Sequence, residues 1–463
     1  MSIPARDPTG ETAPLASERR IVLLVAILSS FVVSLDSSVV TVALPAIGRE
    51  LGGGLTVQQW TVDAYLVTLG SLILVAGSLS DNVGRVRVVT WGLVIFGVAS
   101  IGCAIAPSGV FLVVARTLQG VGGALITPSA LALIVAAFRG AAQTTAIGTW
   151  TAWSSAAIVA GPVLGGVIVD GLGWRWIFVL TTVPIVLTIV LVRGIRSEIR
   201  PPTGARIDVV GALLAVVGVG GVVLGLIEQE RLGWASPLVV VSLIVGAAAL
   251  VAFVPWERRV AAPLVPMRLF RIRNFAVGNL ATLSIYGALG MMGFVVTLFV
   301  QEIWHFPAWL AGFATLPPTL LLLALSPAVG AGAGRVGARW FMAIGPVIAG
   351  ISMLVALRTT ASPAYWTSLL PALIGLGVGI ALMVTPLTST VLGSIDGPEA
   401  GVASGVNNAV ARIAGLALVA LAGVVLGGGM SVGGFHRAAV TMCVLLLAGG
   451  LVSAIGIRTP GRR

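Results

Sequence analysis

Apolar residues run along this chain in blocks of about twenty or more, separated by short polar punctuation, almost from end to end. A block of that length crosses a bilayer as an α-helix, because the hydrocarbon core is spanned by about 20 residues rising 1.5 Å each. Fourteen blocks are predicted, at 21–47, 57–79, 88–107, 109–127, 143–169, 174–195, 207–227, 237–256, 274–301, 308–330, 338–357, 363–391, 400–427 and 436–457. The longest connections, 196–206 and 257–273, are too short for a soluble domain. The pattern therefore predicts an all-α polytopic membrane protein with 14 transmembrane helices.

Composition agrees. The chain is 57% hydrophobic and 9% charged, against roughly 25% charged in soluble domains. A formal charge of +11 is also a mark of nucleic-acid binders, but no basic stretch with interleaved aromatics is present. The 27 basic residues are all arginines and sit mostly in the short loops. If the N-terminus is cytoplasmic, 20 arginines face inward, 5 outward, and Arg116 and Arg412 lie within helices. That bias predicts a multi-pass protein of the inner (plasma) membrane with both termini in the cytoplasm. The Gly393–Glu399 loop runs against it, carrying Asp396 and Glu399 and no arginine. The polar segment 1–20 lacks the short apolar core and cleavage site of a signal peptide, so the first block is expected to be retained. Cys103 and Cys443 lie in apolar blocks without metal-ligand spacing, and packing roles are expected.

Charges inside the blocks are the candidate chemistry. Asp36 stands alone in "LDSSVVTVALP" (Leu35–Pro45). A carboxylate at a membrane centre costs about 2.5–3.5 kcal/mol on insertion scales, so it marks a functional site or a hydrogen bond to a neighbouring helix. Arg116 is the complementary case and is expected to face the bundle interior and find a partner. Asp63, in "WTVDAY" (Trp60–Tyr65), lies about six residues into the second helix, roughly 9 Å deep. It reads as a cation-recognition group, a second proton site, or a solvated acid at the helix mouth. Trp60 and Tyr65 beside it are interface anchors or π faces for an organic cation. Glu302 and Arg412 are candidates in the C-terminal part. His305 and His436 fall near outer loops, where surface roles are expected.

Two Gly-rich turns ending in paired arginines, "GSLSDNVGRVR" (Gly77–Arg87) and "GAGAGRVGAR" (Gly330–Arg339), suggest an internal repeat. Each follows the second helix of a six-helix half if two extra helices are set aside in the middle. The expected organisation is 6+2+6: an N-terminal tail (1–20), a six-helix bundle (21–196), two central helices with their loops (197–273), a second six-helix bundle (274–457) and a tail (458–463). Repeats of this kind build transporters around a central site.

In these features the chain resembles the major facilitator superfamily, in particular its fourteen-helix drug:proton antiporters. "LDSSVVTVALP" is similar to the first-helix signature, with Ser38 and Thr41 where Thr and Asn are usual. The loop after the second helix keeps Gly77, Asp81, Gly84, Arg85 and Arg87, while Asn82 and Val86 replace basic residues. "RTLQGVGGA" (Arg116–Ala124) resembles the fourth-helix motif, and "GPVLGG" (Gly161, Pro162, Gly165, Gly166) the fifth-helix antiporter motif. "WRWIF" (Trp174–Phe178) and "ASGVNNAVARIAG" (Ala403–Gly415) complete the set, although "VLTTVP" lacks the usual Asn and places Pro184 one residue late. The resemblance implies a major facilitator fold and export of lipophilic, cationic drugs in exchange for protons. It implies proton coupling at Asp36, Arg116 and Asp63, substrate contacts at Asp63, Asp36, Trp60 and Tyr65, and gating by the loop motif and "GPVLGG". An acid at Asp63 is similar to the subset that exports quaternary ammonium compounds.

No phosphate-binding loop is present, so neither nucleotide nor ATP drive is expected, and no cofactor, metal or enzymatic activity. The expected partners are a small lipophilic substrate, protons and the bilayer, with the protein acting as a monomer. The alternatives are export of a lipid or secondary metabolite, proton-coupled nutrient import, a receptor or scaffold, and a membrane transferase. The last lacks a candidate catalytic cluster.

Overall fold

A computed structural model describes residues 16–195, 208–395 and 400–458. Most of the expected tails, the connection 196–207 and the acidic stretch 396–399 lie outside the described residues. Among the described residues all regular structure is helical and there is no strand. Fourteen helices are long and apolar enough to cross a membrane. In order they are α1 (Glu18–Leu51), α2 (Gly54–Val83), α3 (Arg85–Ala104), α4 (Gly109–Ala137), α5 (Gly140–Gly171), α6 (Arg175–Val192) and α7 (Val209–Leu232). They continue with α8 (Pro237–Glu257), α9 (Arg273–Glu302), α10 (Ala308–Val336), α11 (Ala338–Arg358), α12 (Tyr365–Leu392), α13 (Gly401–Leu426) and α14 (Val432–Gly456).

Two boundaries differ from the hydrophobic pattern for reasons of proline chemistry. α4 does not stop before Pro128 but runs a further nine residues to Ala137. Membrane helices tolerate such a proline because neighbouring groups take up the freed backbone. α10 is interrupted at Thr315 and Leu316, ahead of Pro317 and Pro318. The Thr315 hydroxyl caps the break by donating to the Ala311 and Gly312 carbonyls.

Odd-numbered helices run away from the face at which the described chain begins and even-numbered ones return to it. That face is called proximal and the opposite one distal. α1 packs on α2, α4, α5 and α6, and α3 packs on α4 and α6. α9 packs on α13 and α14, and α11 on α12 and α14. α7 and α8 pair with each other, and α7 touches α2 and α13. Glycines let that pair approach closely: a β-carbon on Gly246 would lie 2.6 Å from the Val222 nitrogen, and one on Gly221 2.9 Å from the Ser242 carbonyl.

The seam between α1–α6 and α9–α14 decides the shape of any path through the protein. Its hydrogen bonds, among the described residues, all lie toward the distal face. Gln58 donates to Glu302 (2.8 Å), Gln59 to the Val419 and Ala420 carbonyls, and Gln301 to the Val42 carbonyl. Asp170 accepts from the Ala308 and Trp309 amides, capping the start of α10. The close approaches of α5 and α10 lie at this end too, where Gly166 meets Ala308 and Trp309, and Gly312 meets Pro162. Toward the proximal face, Gly148 on α5 and Gly334 on α10 have nothing within 4 Å of where a side chain would begin.

Candidate functional site

The Asp36 carboxylate and the Arg116 guanidinium meet midway through the first six helices. α1 and α4 pack directly and bring Arg116 Nη1 to 2.6 Å from Asp36 Oδ2. Asp36 is fully buried and Arg116 is 1% exposed. Neither charge stands alone. Gln119, one turn beyond Arg116 on the same face, accepts from Arg116 Nη1 (2.6 Å) and donates to Asp36 Oδ1 (2.8 Å), so one amide bridges the ion pair. It also donates to Ser100 Oγ at 2.9 Å. Arg116 Nε donates to the Thr61 carbonyl (2.8 Å), and the guanidinium carbon sits 4.4 Å from the Tyr65 ring centroid. A buried ion pair overcomes desolvation only when its remaining donors and acceptors are matched, and this network matches them.

Asp63 lies on another face of α2. It is fully buried, so the solvated reading is excluded, and among the described residues neither carboxylate oxygen has a hydrogen-bond partner. Gln59 bonds α13, and the Arg412 β-carbon lies 3.6 Å from the position a side chain would occupy on Gly70. Asp63, one turn from Gln59 and two from Gly70, therefore shares the α13-facing side of α2. The expected cage of Asp63, Trp60 and Tyr65 is not assembled. Tyr65 is two residues on and faces Arg116, because residues at i and i+2 point apart on a helix. The Trp60 indole donates to Glu228 on α7 (2.9 Å), and Glu228 in turn pairs with Arg231. Trp60 is thus a tie to the central helix pair, and Glu228 is its acceptor.

The remaining candidates separate by location. Asp81 pairs with Arg85 (3.3 Å), and Arg85 Nη1 donates to the Ala132 carbonyl of α4. Gly84 turns the chain with φ +116°, a conformation side chains resist, and Arg87 follows it at the start of α3. Gly77 faces Pro128 at 3.7 Å. On α5, Gly161 leaves room for Ser38, and Gly165 for Val39, so "GPVLGG" lines the contact with α1, while Gly166 serves α10. Glu302 accepts from Gln58. Arg412, expected to pair within the C-terminal part, has no carboxylate partner among the described residues and donates to Asn408 Oδ1 at 3.3 Å. His436 is not a free surface group: its Nε2 lies 2.9 Å from the Thr359 carbonyl oxygen.

Two polar groups escaped the sequence reading. Gln119 carries no charge to stand out in an apolar block, although its spacing from Arg116 places both on one face. Asn407 donates to Asn279 Oδ1 and Thr282 Oγ1 across α13 and α9, forming a second polar cluster.

Fourteen helices long and apolar enough to cross a membrane surround a buried charge network, the architecture of a polytopic membrane protein. The chain belongs to the Major Facilitator Superfamily, whose description matches residues 26–419. Multidrug resistance protein Stp of Mycobacterium tuberculosis is 34% identical over 409 residues, covering 87% of this chain and 75% of that protein. Puromycin resistance protein pur8 of Streptomyces alboniger is 33% identical over 414 residues, covering 86% and 80%. The fold matches a bacterial homolog of the human lysosomal transporter Spinster, solved inward-facing and unoccupied, with TM-score 0.70 at 15% identity, covering 96% of this chain and 98% of that one.

Proposed function

We propose that this protein exports lipophilic, cationic drugs in exchange for protons by alternating access. The observation that carries the reading is the fully buried Asp36–Arg116 pair bridged by Gln119. Its chemistry suits proton coupling. While Asp36 is ionised it holds the Arg116 guanidinium and ties α1 to α4. When Asp36 takes a proton, the Coulomb attraction is lost, and Arg116 is left with the Thr61 carbonyl and Gln119. That change alters the contact between two helices that line the path, which a fixed structural pair could not do. Two relatives named for drug resistance support drugs as cargo.

The 6+2+6 grouping belongs to this reading, with boundaries near 196 and 273, and is supported by helix packing within α1–α6 and within α9–α14. The arginine bias supports cytoplasmic termini. The proximal face is then cytoplasmic, and the distal hydrogen bonds close the path toward the exterior. Exchange of one proton for one monovalent cation moves no net charge and runs on the pH gradient alone. A dication needs a second proton for the same balance, and Asp63 supplies a second acid.

The test uses everted vesicles that hold a proton gradient. Adding lipophilic cations to vesicles containing the protein should dissipate the gradient, and Asp36→Asn should abolish the signal. A folded wild-type protein that leaves the gradient intact across chemically diverse cations would overturn the proposal.

A further inference from the structure

The two central helices bring a carboxylate to the buried face of α2. Glu230, near the distal end of α7, is half-buried, and its Oε2 is buried without a hydrogen-bond partner. Gln59 is fully buried, and although its amide nitrogen bonds the Val419 and Ala420 carbonyls, its Oε1 has no partner either. The two oxygens converge on Gly423 of α13. A β-carbon there would lie 2.6 Å from Glu230 Oε2 and 3.4 Å from Gln59 Oε1, so glycine is what lets the two side chains approach α13. One turn further in is Asp63, with both oxygens unpartnered. Residues four apart on a helix are neighbours, about 5–6 Å between β-carbons. On its outward side, Glu230 Oε1 lies 4.0 Å from the side-chain position of Gly428, which is exposed at the distal face.

Four buried acceptor oxygens on α7 and α2 thus have no donor among the described residues. Acceptors of this kind are costly to bury unpaired, and they call for a positive or donating occupant. We infer that Glu230 and Gln59 form a proton relay that loads Asp63 from the distal face while the hydrogen bonds of the main seam stay closed. A proton taken up by Glu230 passes to Asp63 through water that Gln59 Oε1 orients, since a bridging water needs two to four polar partners and this site offers them. Glu230 is left ionised and Asp63 neutral. The inference rests on the reading of Asp63 as a proton site and gives the central helix pair a part in it.

The surrounding charges are compatible with this route. On α7 itself, Glu228 and Arg231 neutralise each other. From α14, Arg437 is occupied by the Val425 and Leu426 carbonyls. From α13, Arg412 lies nearer the proximal side, toward Gly70, and from α4 Arg116 is held by Asp36.

The experiment needs no transported substrate. Protein reconstituted in one orientation is given a pH jump on one side, and the infrared band of protonated carboxyl groups is followed in time. Asp63→Asn identifies the Asp63 component. Glu230→Gln should slow its appearance at least about tenfold after a distal jump, less than the roughly 10²–10⁴-fold of a positioned acid–base group. It should leave the response to a proximal jump unchanged, and Glu230→Asp should recover most of the rate. Gly423→Ala, on another helix, puts a β-carbon 2.6 Å from Glu230 Oε2 without removing a seam donor, and should slow the distal response in the same way if Glu230→Gln does not fold. An Asp63 band that appears at the wild-type rate in these variants, or equal slowing from both sides, would overturn the relay and leave Asp63 a proton site. No Asp63-dependent band at any pH, or one that follows sodium instead of pH, would overturn both.

Discussion

Replacing Asp36 with Asn keeps the shape of the side chain and removes its charge, so it tests the central pair with little steric disturbance. In the wild-type protein the carboxylate accepts from Arg116 and from Gln119, one oxygen each. Asparagine offers one acceptor and one donor, so one of those two contacts becomes donor against donor. Arg116 retains the Thr61 carbonyl, the Gln119 oxygen and the Tyr65 ring, but its charge is buried without a counterion. Breaking a buried pair by removing one partner costs about 3–5 kcal/mol, and the surviving contacts place this case near the lower end. Arg116→Gln alone should cost a similar amount. The double variant Asp36→Asn/Arg116→Gln removes both charges, so it should be more stable than the two losses added together predict, by about 1–3 kcal/mol. Thermal unfolding of the purified protein reads stability, and proton flux in vesicles reads coupling. The double variant should regain stability while remaining uncoupled. A single Asp36→Asn variant as stable as wild type, or a strictly additive double variant, would refute the reasoning that the pair is energetically joined.

Further outcomes follow from the seam and the second acid. Gly312→Leu places a β-carbon 2.2 Å from the Pro162 carbonyl oxygen, a backbone atom that cannot swing away, so it should open the distal contact of α5 with α10 at a cost of about 1–3 kcal/mol. A cysteine introduced at Val42 should then react faster with an impermeant thiol reagent from the distal side. Glu302→Ala removes the acceptor of the Gln58 amide, and at this half-buried position should cost about 1 kcal/mol and raise the same labelling rate roughly fivefold. Asp63→Asn should reduce export of dications more than of monocations; equal losses in a transport assay would remove Asp63 from charge recognition.

Much of the fold was legible because each membrane helix must satisfy its own backbone and present an apolar surface, so every span leaves a long apolar block. Helix ends were less so. The fourth apolar block ends at 127 in sequence, yet α4 continues through Pro128 to Ala137. At the site, Asp36 and Arg116 stood out because isolated charges in apolar blocks need a reason to be there. Their bridging partner Gln119 did not, since a neutral amide carries no such signal. The grouping of Asp63 with Trp60 and Tyr65 is not assembled: Tyr65, two residues on, turns to Arg116, and the Trp60 indole is taken by Glu228. Orphan acceptors such as Glu230 Oε2 and Gln59 Oε1 become visible only when α2, α7 and α13 are packed together.

The central claim is that drug and proton draw on the same buried carboxylates. It is tested most directly by adding a lipophilic cation to purified protein in weakly buffered solution and measuring proton release with a pH indicator. The account predicts protons released in proportion to cation bound, more for a dication than a monocation, with release lost in Asp36→Asn. Saturable cation binding to the wild-type protein with no proton released at any pH would contradict it.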